Sequence, residues 1–232
     1  MSLKIACGRV TALLGASRGF RTSLLRVLVG LEGPESGAVY LGDSEGARLS
    51  GLHESGLSVA YLPFPGEEIF TGTTVAEELS FHASKSSALE ERLAGLQEQI
   101  EFPFSDTSGR SVWELSDSER RGLLLVSQAL ALPDFWVCEE PGEIFDGRRE
   151  KEVRLFLRGE AARGAAVLLS FSASGTAAFW AENLAVLDPD GKLLYAGEPG
   201  GLTPEAAESA GWNRWILPAR DAAGLKAGRE AG

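Results

Sequence analysis

The sequence predicts an α/β fold, a mostly parallel sheet flanked by helices with an α-helical segment inserted into it. Three observations lead there. Short apolar runs of strand length alternate with stretches of helical period, the order that makes neighbouring strands run parallel. The stretch Arg9 to Gly30, RVTALLGASRGFRTSLLRVLVG, passes from a buried strand through small residues into an amphipathic helix. From residue 73 to 132 the period is helical throughout.

Taken in order, Val10 to Leu14 reads as a strand, Gly15 to Gly19 as a loop and Thr22 to Val29 as a helix. The turn signals Gly33-Pro34 and Ser36-Gly37 precede a short strand, Ala38 to Leu41. A polar loop, Asp43 to Gly56, leads to the strand Leu57 to Leu62, which Pro63 and Pro65 end. Helices are expected over Thr74 to His82, Ser87 to Ile100 and Ser116 to Leu130, with a loop from Phe102 to Arg110. Ser116, with Glu119 three residues on, has the spacing of a capping box. There follow a strand (Phe135 to Cys138), a charged helix (Gly147 to Gly159), a strand (Ala165 to Phe171) and a short helix (Thr176 to Ala181). Leu184 to Leu187 and Lys192 to Tyr195 form a hairpin around Asp190-Gly191. The chain thus divides into a core (1–72 and 131–200), a helical subdomain (73–130) and a C-terminal extension (201–232).

A chain of 232 residues is long enough to bury a sizeable interior. The net charge of −11 argues against a nucleic-acid partner, which would need a basic face. Cys7 and Cys138 lie in apolar runs and are expected to be buried, reduced thiols. With His53 and His82 as the only histidines, a zinc centre is not expected. No apolar run is long enough to span a membrane and the N-terminus lacks a signal-peptide core, so the expected place is the cytoplasm, with membrane association through a partner.

Against the phosphate-loop pattern G-x-x-x-x-G-K-[ST], the chain gives Gly15, four residues, then Phe20, Arg21 and Thr22. A strand leading into a helix N-terminus is where phosphate binds, which makes Gly15, Ser17, Gly19, Arg21, Thr22 and Ser23 the candidate nucleotide contacts. Phe20 obstructs the close approach of backbone unless its ring turns outward, and Arg21 keeps the lysine's charge in a bulkier planar form. Thr22 could offer its hydroxyl to Mg²⁺. The alternative is a plain strand-to-helix turn without a ligand.

The ordered motifs resemble an ATP-binding-cassette (ABC) transporter ATPase over nearly the whole chain. LLGASRGFRTSLLRVLVGLEGPESGAVYL is similar to that family's phosphate loop and first helix, VWELSDSERRGLLLVSQALALPDFWVCEEP to its signature helix and Walker B strand, and GEIFD to its D-loop, ending in Asp146. The resemblance implies a P-loop NTPase (RecA-like) fold, ATP and Mg²⁺ as ligands, a homologous ATPase subunit as dimer partner, and a transmembrane component that holds the chain at the inner face of the cell membrane. PGEEIFTGTTVAEELSF and AGEPGGLTPEAAESAGW further resemble cobalt-type and energy-coupling-factor importers.

Residue by residue, the resemblance also marks departures. The signature L-S-G-G-Q becomes Leu115, Ser116, Asp117, Ser118 and Glu119, in which Asp117 would bring a carboxylate towards the partner's γ-phosphate. The Q-loop glutamine falls on Phe64 and the switch histidine on Ser172. The Walker B Asp-Glu is Glu139-Glu140, with Glu140 at the water-polarising position and Glu139 beside Mg²⁺. The strands that carry the family's adenine platform have no counterpart ahead of Arg9. Phosphoryl transfer depends on positioning and charge neutralisation, so these losses together imply weak or no hydrolysis.

Three readings follow: a degenerate subunit paired with an active ATPase and docked on a membrane partner; a divergent working ATPase using Arg21, Thr22, Glu139 and Glu140; and a nucleotide-independent adaptor. Glu67 and Glu68 are candidates for meeting basic helices of the membrane partner, and Trp212 and Trp215 for a dimer contact or a cover over the core edge.

Overall fold

The computed structural model of the chain describes residues 2–42, 47–49, 51–66, 68–82, 87–100, 108–172 and 174–210. Its elements are β1 (Val10–Gly15), α1 (Arg18–Val29), β2 (Val39–Leu41), β3 (Ala47–Leu49), β4 (Val59–Leu62), α2 (Val75–His82), α3 (Ser87–Ile100), α4 (Asp117–Leu130), β5 (Phe135–Glu139), α5 (Gly147–Ala162), β6 (Ala166–Ser170), α6 (Ser174–Trp180), β7 (Asn183–Leu187), β8 (Leu193–Gly197) and α7 (Pro204–Ser209). Six strands form one sheet in the order β4-β5-β6-β1-β7-β8. All neighbours are parallel except β8, which closes antiparallel on β7, while β2 and β3 pair antiparallel by themselves.

The two-residue period of the strands splits the interior into two layers. Val10, Ala12 and Leu14 of β1, Trp136 and Cys138 of β5, and Val167 and Leu169 of β6 face one side, where they meet α2 to α6. Leu13, Phe135, Val137, Ala166 and Leu168 face the other, where Leu25 of α1 covers them. Both faces being covered, these central strands are continuous apolar runs. Trp136 fixes the larger layer. Its ring meets Phe156 edge-on at 5.6 Å, and its indole N–H donates to the buried carboxylate of Glu160 at 3.3 Å.

Most element ends lie within a residue or two of expectation. The main exception is α1, which starts at Arg18 rather than Thr22. Ser17 is its N-cap, its Oγ accepting from the Phe20 N–H at 3.1 Å, so the helix absorbs residues expected to form a loop. α5 runs on to Ala162 because Phe156, Leu157, Glu160 and Ala161 keep the helix face buried. β3 was not expected; it lies within the predicted polar loop, which falls partly outside the described residues, as does most of the loop 102–110. Cys138 is buried, and burial pushes its thiol up to about 12, whereas Cys7, expected to be buried, is exposed. An isolated bridge to Ala166 holds the backbone at Cys7 outside the regular strands, and its side chain faces out.

The capping box on α4 is present in full. Ser116 Oγ accepts from the Glu119 N–H, and the Glu119 carboxylate accepts from the Ser116 N–H at 2.7 Å and from its hydroxyl at 2.7 Å. Those bonds hold the Glu119 carboxyl below its ordinary value of 4.5. Its contribution to stability is therefore full above the unfolded value and fades as pH falls through the folded one. Replacing Glu119 by Ala is expected to cost about 0.5–2 kcal/mol in urea unfolding at pH 7, and the difference from the parent chain is expected to shrink steadily below pH 4.5.

Candidate functional site

The carboxyl ends of the parallel strands bring the marked residues together, the usual place for a ligand in an open α/β sheet. Register aligns Leu13 of β1 and Glu139 of β5 with Ser170 at the end of β6, and Gly15 with Leu187 at the end of β7. The turn out of β1 is tight. Gly15 has φ +77°, and a Cβ built there would lie 1.9 Å from the Leu187 carbonyl oxygen. Ala16 follows with φ 52°, a left-handed conformation that a non-glycine residue adopts only under constraint.

Arg21, one turn into α1, reaches back into this turn and is 4% exposed. Its Nη1 donates to the carbonyl oxygens of Gly15 at 2.8 Å and Ala16 at 3.1 Å. Nε donates to Ser170 Oγ at 3.3 Å and Nη2 to Ser172 Oγ at 2.8 Å. Nη2 also lies 3.7 Å from Glu140 Oε1. Burial lowers the guanidinium from its ordinary value, and the carboxylates of Glu140 and Glu139 oppose that shift. The charge is thus retained in a dry place by an acid and by polar acceptors.

Glu140 is bent into the left-handed region, with φ 45°, as the chain leaves β5. Burial pushes its carboxyl up, against the N–H and hydroxyl of Ser172 and the charge of Arg21. Among the described residues its Oε1 receives no hydrogen bond. Glu139 is fully occupied by hydroxyls: Thr22 Oγ1 donates to Oε2 at 2.5 Å and the Tyr61 phenol to Oε1 at 2.6 Å.

Two contacts close the site from the β4 side. The Arg18 guanidinium lies 3.2 Å from the centre of the Phe64 ring, a cation–π stack. Arg121 of α4, 0% exposed, donates to the Pro63 carbonyl and, at 2.5 Å, to the Glu139 carbonyl. It also faces Glu68 at 3.8 Å. Glu68 is buried and accepts from the Gly66 N–H, so it is unavailable to the basic partner helices for which it was a candidate. Its negative charge serves a buried arginine instead. Glu67, Trp212 and Trp215 lie outside the described residues.

Of the predicted residues, the fold gathers Gly15, Arg21, Thr22, Glu139 and Glu140. Ser17 is spent as a cap and Ser23 is exposed on α1. Gly19 is an ordinary helical residue with open space around its Cβ position. The Phe20 ring does turn outward, and it packs on Gly191 in the β7–β8 turn. Ser116 and Asp146 each cap a helix, the Asp146 carboxylate accepting from Arg148 and Arg149 N–H groups at 3.1 and 2.9 Å. Sequence reasoning missed Arg18, Tyr61, Arg121 and Ser170. Only Arg121 carried a signal, a charge three and four residues before Leu124 and Leu125 on a strongly apolar helix face.

As placed, these side chains do not fit the phosphates of ATP. The space where a loop would close on phosphates holds the Arg21 guanidinium, and the loop atoms turned towards it are carbonyl oxygens. Thr22 and Glu139, the candidate Mg²⁺ ligands, are brought together, the Thr22 hydroxyl donating to the Glu139 carboxylate.

A family model described as "ABC transporter" matches residues 1–143. The Fe(3+) ions import ATP-binding protein FbpC of Pseudomonas fluorescens is 28% identical over 221 residues, 92% of this chain and 62% of that protein. The sulfate/thiosulfate import ATP-binding protein CysA of Vibrio cholerae is 26% identical over 166 residues, 68% of this chain and 43% of that protein. The chain therefore spans less than two thirds of these relatives' length. Among solved structures, the ATP binding subunit of an ABC transporter superposes with a TM-score of 0.73 at 20% identity, over 98% of this chain and 91% of that one. A dimeric ATP-binding cassette in a post-hydrolysis state, bound to ADP and Pi, gives 0.68 at 16% identity, over 84% and 88%. These structural likenesses establish the fold.

Two stability measurements check the local reading. Gly15→Ala is expected to lose about 3 kcal/mol or more from strain and overlap with Leu187, while Gly19→Ala, in the first turn of α1 with open space at its Cβ position, gains about 0.4–1 kcal/mol by restricting the unfolded chain. Arg21→Met strands Glu140 and is expected to cost about 3–5 kcal/mol; adding Glu140→Gln recovers a substantial part of that in a double-mutant cycle.

Proposed function

The chain belongs to the ABC transporter family, and on that footing we propose that it is a degenerate ATP-binding subunit of an importer, with weak or no ATP hydrolysis, that pairs with an active homologous ATPase subunit. The observation that carries this reading is the inward turn of Arg21, whose guanidinium bonds the carbonyls of Gly15 and Ala16 where phosphate would lie. Ser172 and Phe64 at the switch and Q-loop positions, and Glu119 folded onto the signature serine, point the same way. The subunit sits at the cytoplasmic face of the membrane, held by a transmembrane component. No helix among the described residues is long and apolar enough to cross a bilayer itself.

Residues 1–72 and 131–200 form the core of this subunit, 73–130 its helical subdomain and 201–232 its extension. A surface groove of about 680 Å³, lined by Arg26, Val29, Tyr61, Ile69, Leu124 and Gln128 among others, joins α1, β4 and α4 and offers the membrane component a largely apolar seat. The relatives are named for the import of iron(III) and of sulfate or thiosulfate. The cobalt-type reading rests on the segments 65–81 and 196–212. One observation favours a divergent but working ATPase instead: Thr22 and Glu139 stay paired at 2.5 Å, as two ligands of one Mg²⁺ would be.

Calorimetry on the full chain is expected to show no saturable MgATP heat in the micromolar range. Turnover is expected to fall at least about 100-fold below an intact cassette, the effect of losing one charge-stabilising donor alone. Micromolar affinity abolished by Arg21→Ala would establish the working ATPase. Co-purification with an intact ATPase and a membrane protein supports the paired subunit; isolation alone supports the adaptor.

A further inference from the structure

We propose that the turn between β1 and α1 is a cage for a planar guanidinium cation, and that Arg21 is its resident ligand. This rests on the reading above and deepens it: the site has changed the sign of the charge it takes. The groups that bond or pair with the Arg21 head are oxygens, the carbonyls of Gly15 and Ala16 on one side, the hydroxyls of Ser170 and Ser172 on the other, and the Glu140 carboxylate beyond, with Arg18 as the neighbouring cation. Such a set repels phosphate and attracts a cation.

Its geometry selects the shape of that cation as well. Nη1, Nη2 and Nε each find an acceptor, so the fork is met on three nitrogens that share one plane. An ammonium ion cannot meet acceptors spread in this way, because its donors point to the corners of a tetrahedron. The backbone is built around the guest. The left-handed φ of Gly15 and Ala16 is what turns two successive carbonyls inward, whereas a phosphate loop presents N–H groups to its ligand. Because the ligand is covalently part of α1, the cage stays filled whatever the nucleotide concentration, and the subunit is blind to ATP.

The test is to empty the cage in the full chain and refill it from solution. Arg21→Ala is expected to melt lower than the parent chain, and methylguanidinium chloride at up to about 50 mM, where its denaturing effect is slight, is expected to restore it saturably. At ten times the dissociation constant the gain is about 3–5 °C. Ammonium chloride, MgCl₂ and inorganic phosphate at equal ionic strength are expected to give no saturable gain. Rescue by ammonium or Mg²⁺ equal to that by methylguanidinium overturns the claim for a planar cation, and rescue by phosphate overturns the reversal of charge. Should Arg21→Ala fail to fold, the parent chain still decides. Nitrogen-15 spectra are expected to show the Arg21 side-chain N–H protons in slow exchange and unmoved by MgATP, whereas rapid exchange overturns the cage. ATP binding to the parent chain with Arg21 still locked would sink the proposed function while leaving the cage intact.

Discussion

The carboxyl end of the sheet is organised around the buried positive charge of Arg21. Arg21 lies between two carbonyls of the turn before its own helix and an acid at the end of β5, and without it Glu140 would keep only the N–H and hydroxyl of Ser172 in a dry interior. Desolvating a guanidinium is costly, and the cost is met here by hydrogen bonds on every face. That arrangement accounts for the inward carbonyls of Gly15 and Ala16 and for the serine at position 172, while the Arg21 charge offsets part of the rise that burial imposes on the Glu140 carboxyl.

A second arginine repeats the device. Arg121 is fully buried on α4, bonds the carbonyls of Pro63 and Glu139, and faces the buried Glu68. Between them the two cations hold the strand ends of β1, β4, β5 and β6 by internal contacts alone. In a cassette that cycles with nucleotide, some of these places would be filled and vacated in turn. Here they are filled by the chain, which gives the degenerate reading its structural sense.

Much of the fold was legible because the central strands are buried on both faces and the helices carry clean caps. Ser116 with Glu119 showed its box in the spacing, and Gly15, Arg21, Thr22, Glu139 and Glu140 were marked by their places at strand ends. What sequence could not show was direction. The same Arg21 could point to a phosphate or back to its own loop, and the acceptors that hold it, Ser170, Ser172 and the loop carbonyls, come from strands and turns remote in sequence or from backbone whose direction no residue pattern gives. Glu68 looked like a solvated acid after a turn because its partner, Arg121, is remote in sequence and hidden in an apolar helix. Cys7 looked buried because its neighbours are apolar, yet its segment meets the sheet by an isolated bridge outside the regular strands and leaves the thiol exposed.

The Arg121 contacts bear on how the molecule comes apart. Since this side chain from the helical segment completes the carbonyls at the ends of β4 and β5, neither part can leave the other without stranding a full charge and two backbone acceptors. Sheet and helical segment are thereby bound into one cooperative unit, and a fragment cut out between them would lack the counterpart that makes its own interior tolerable.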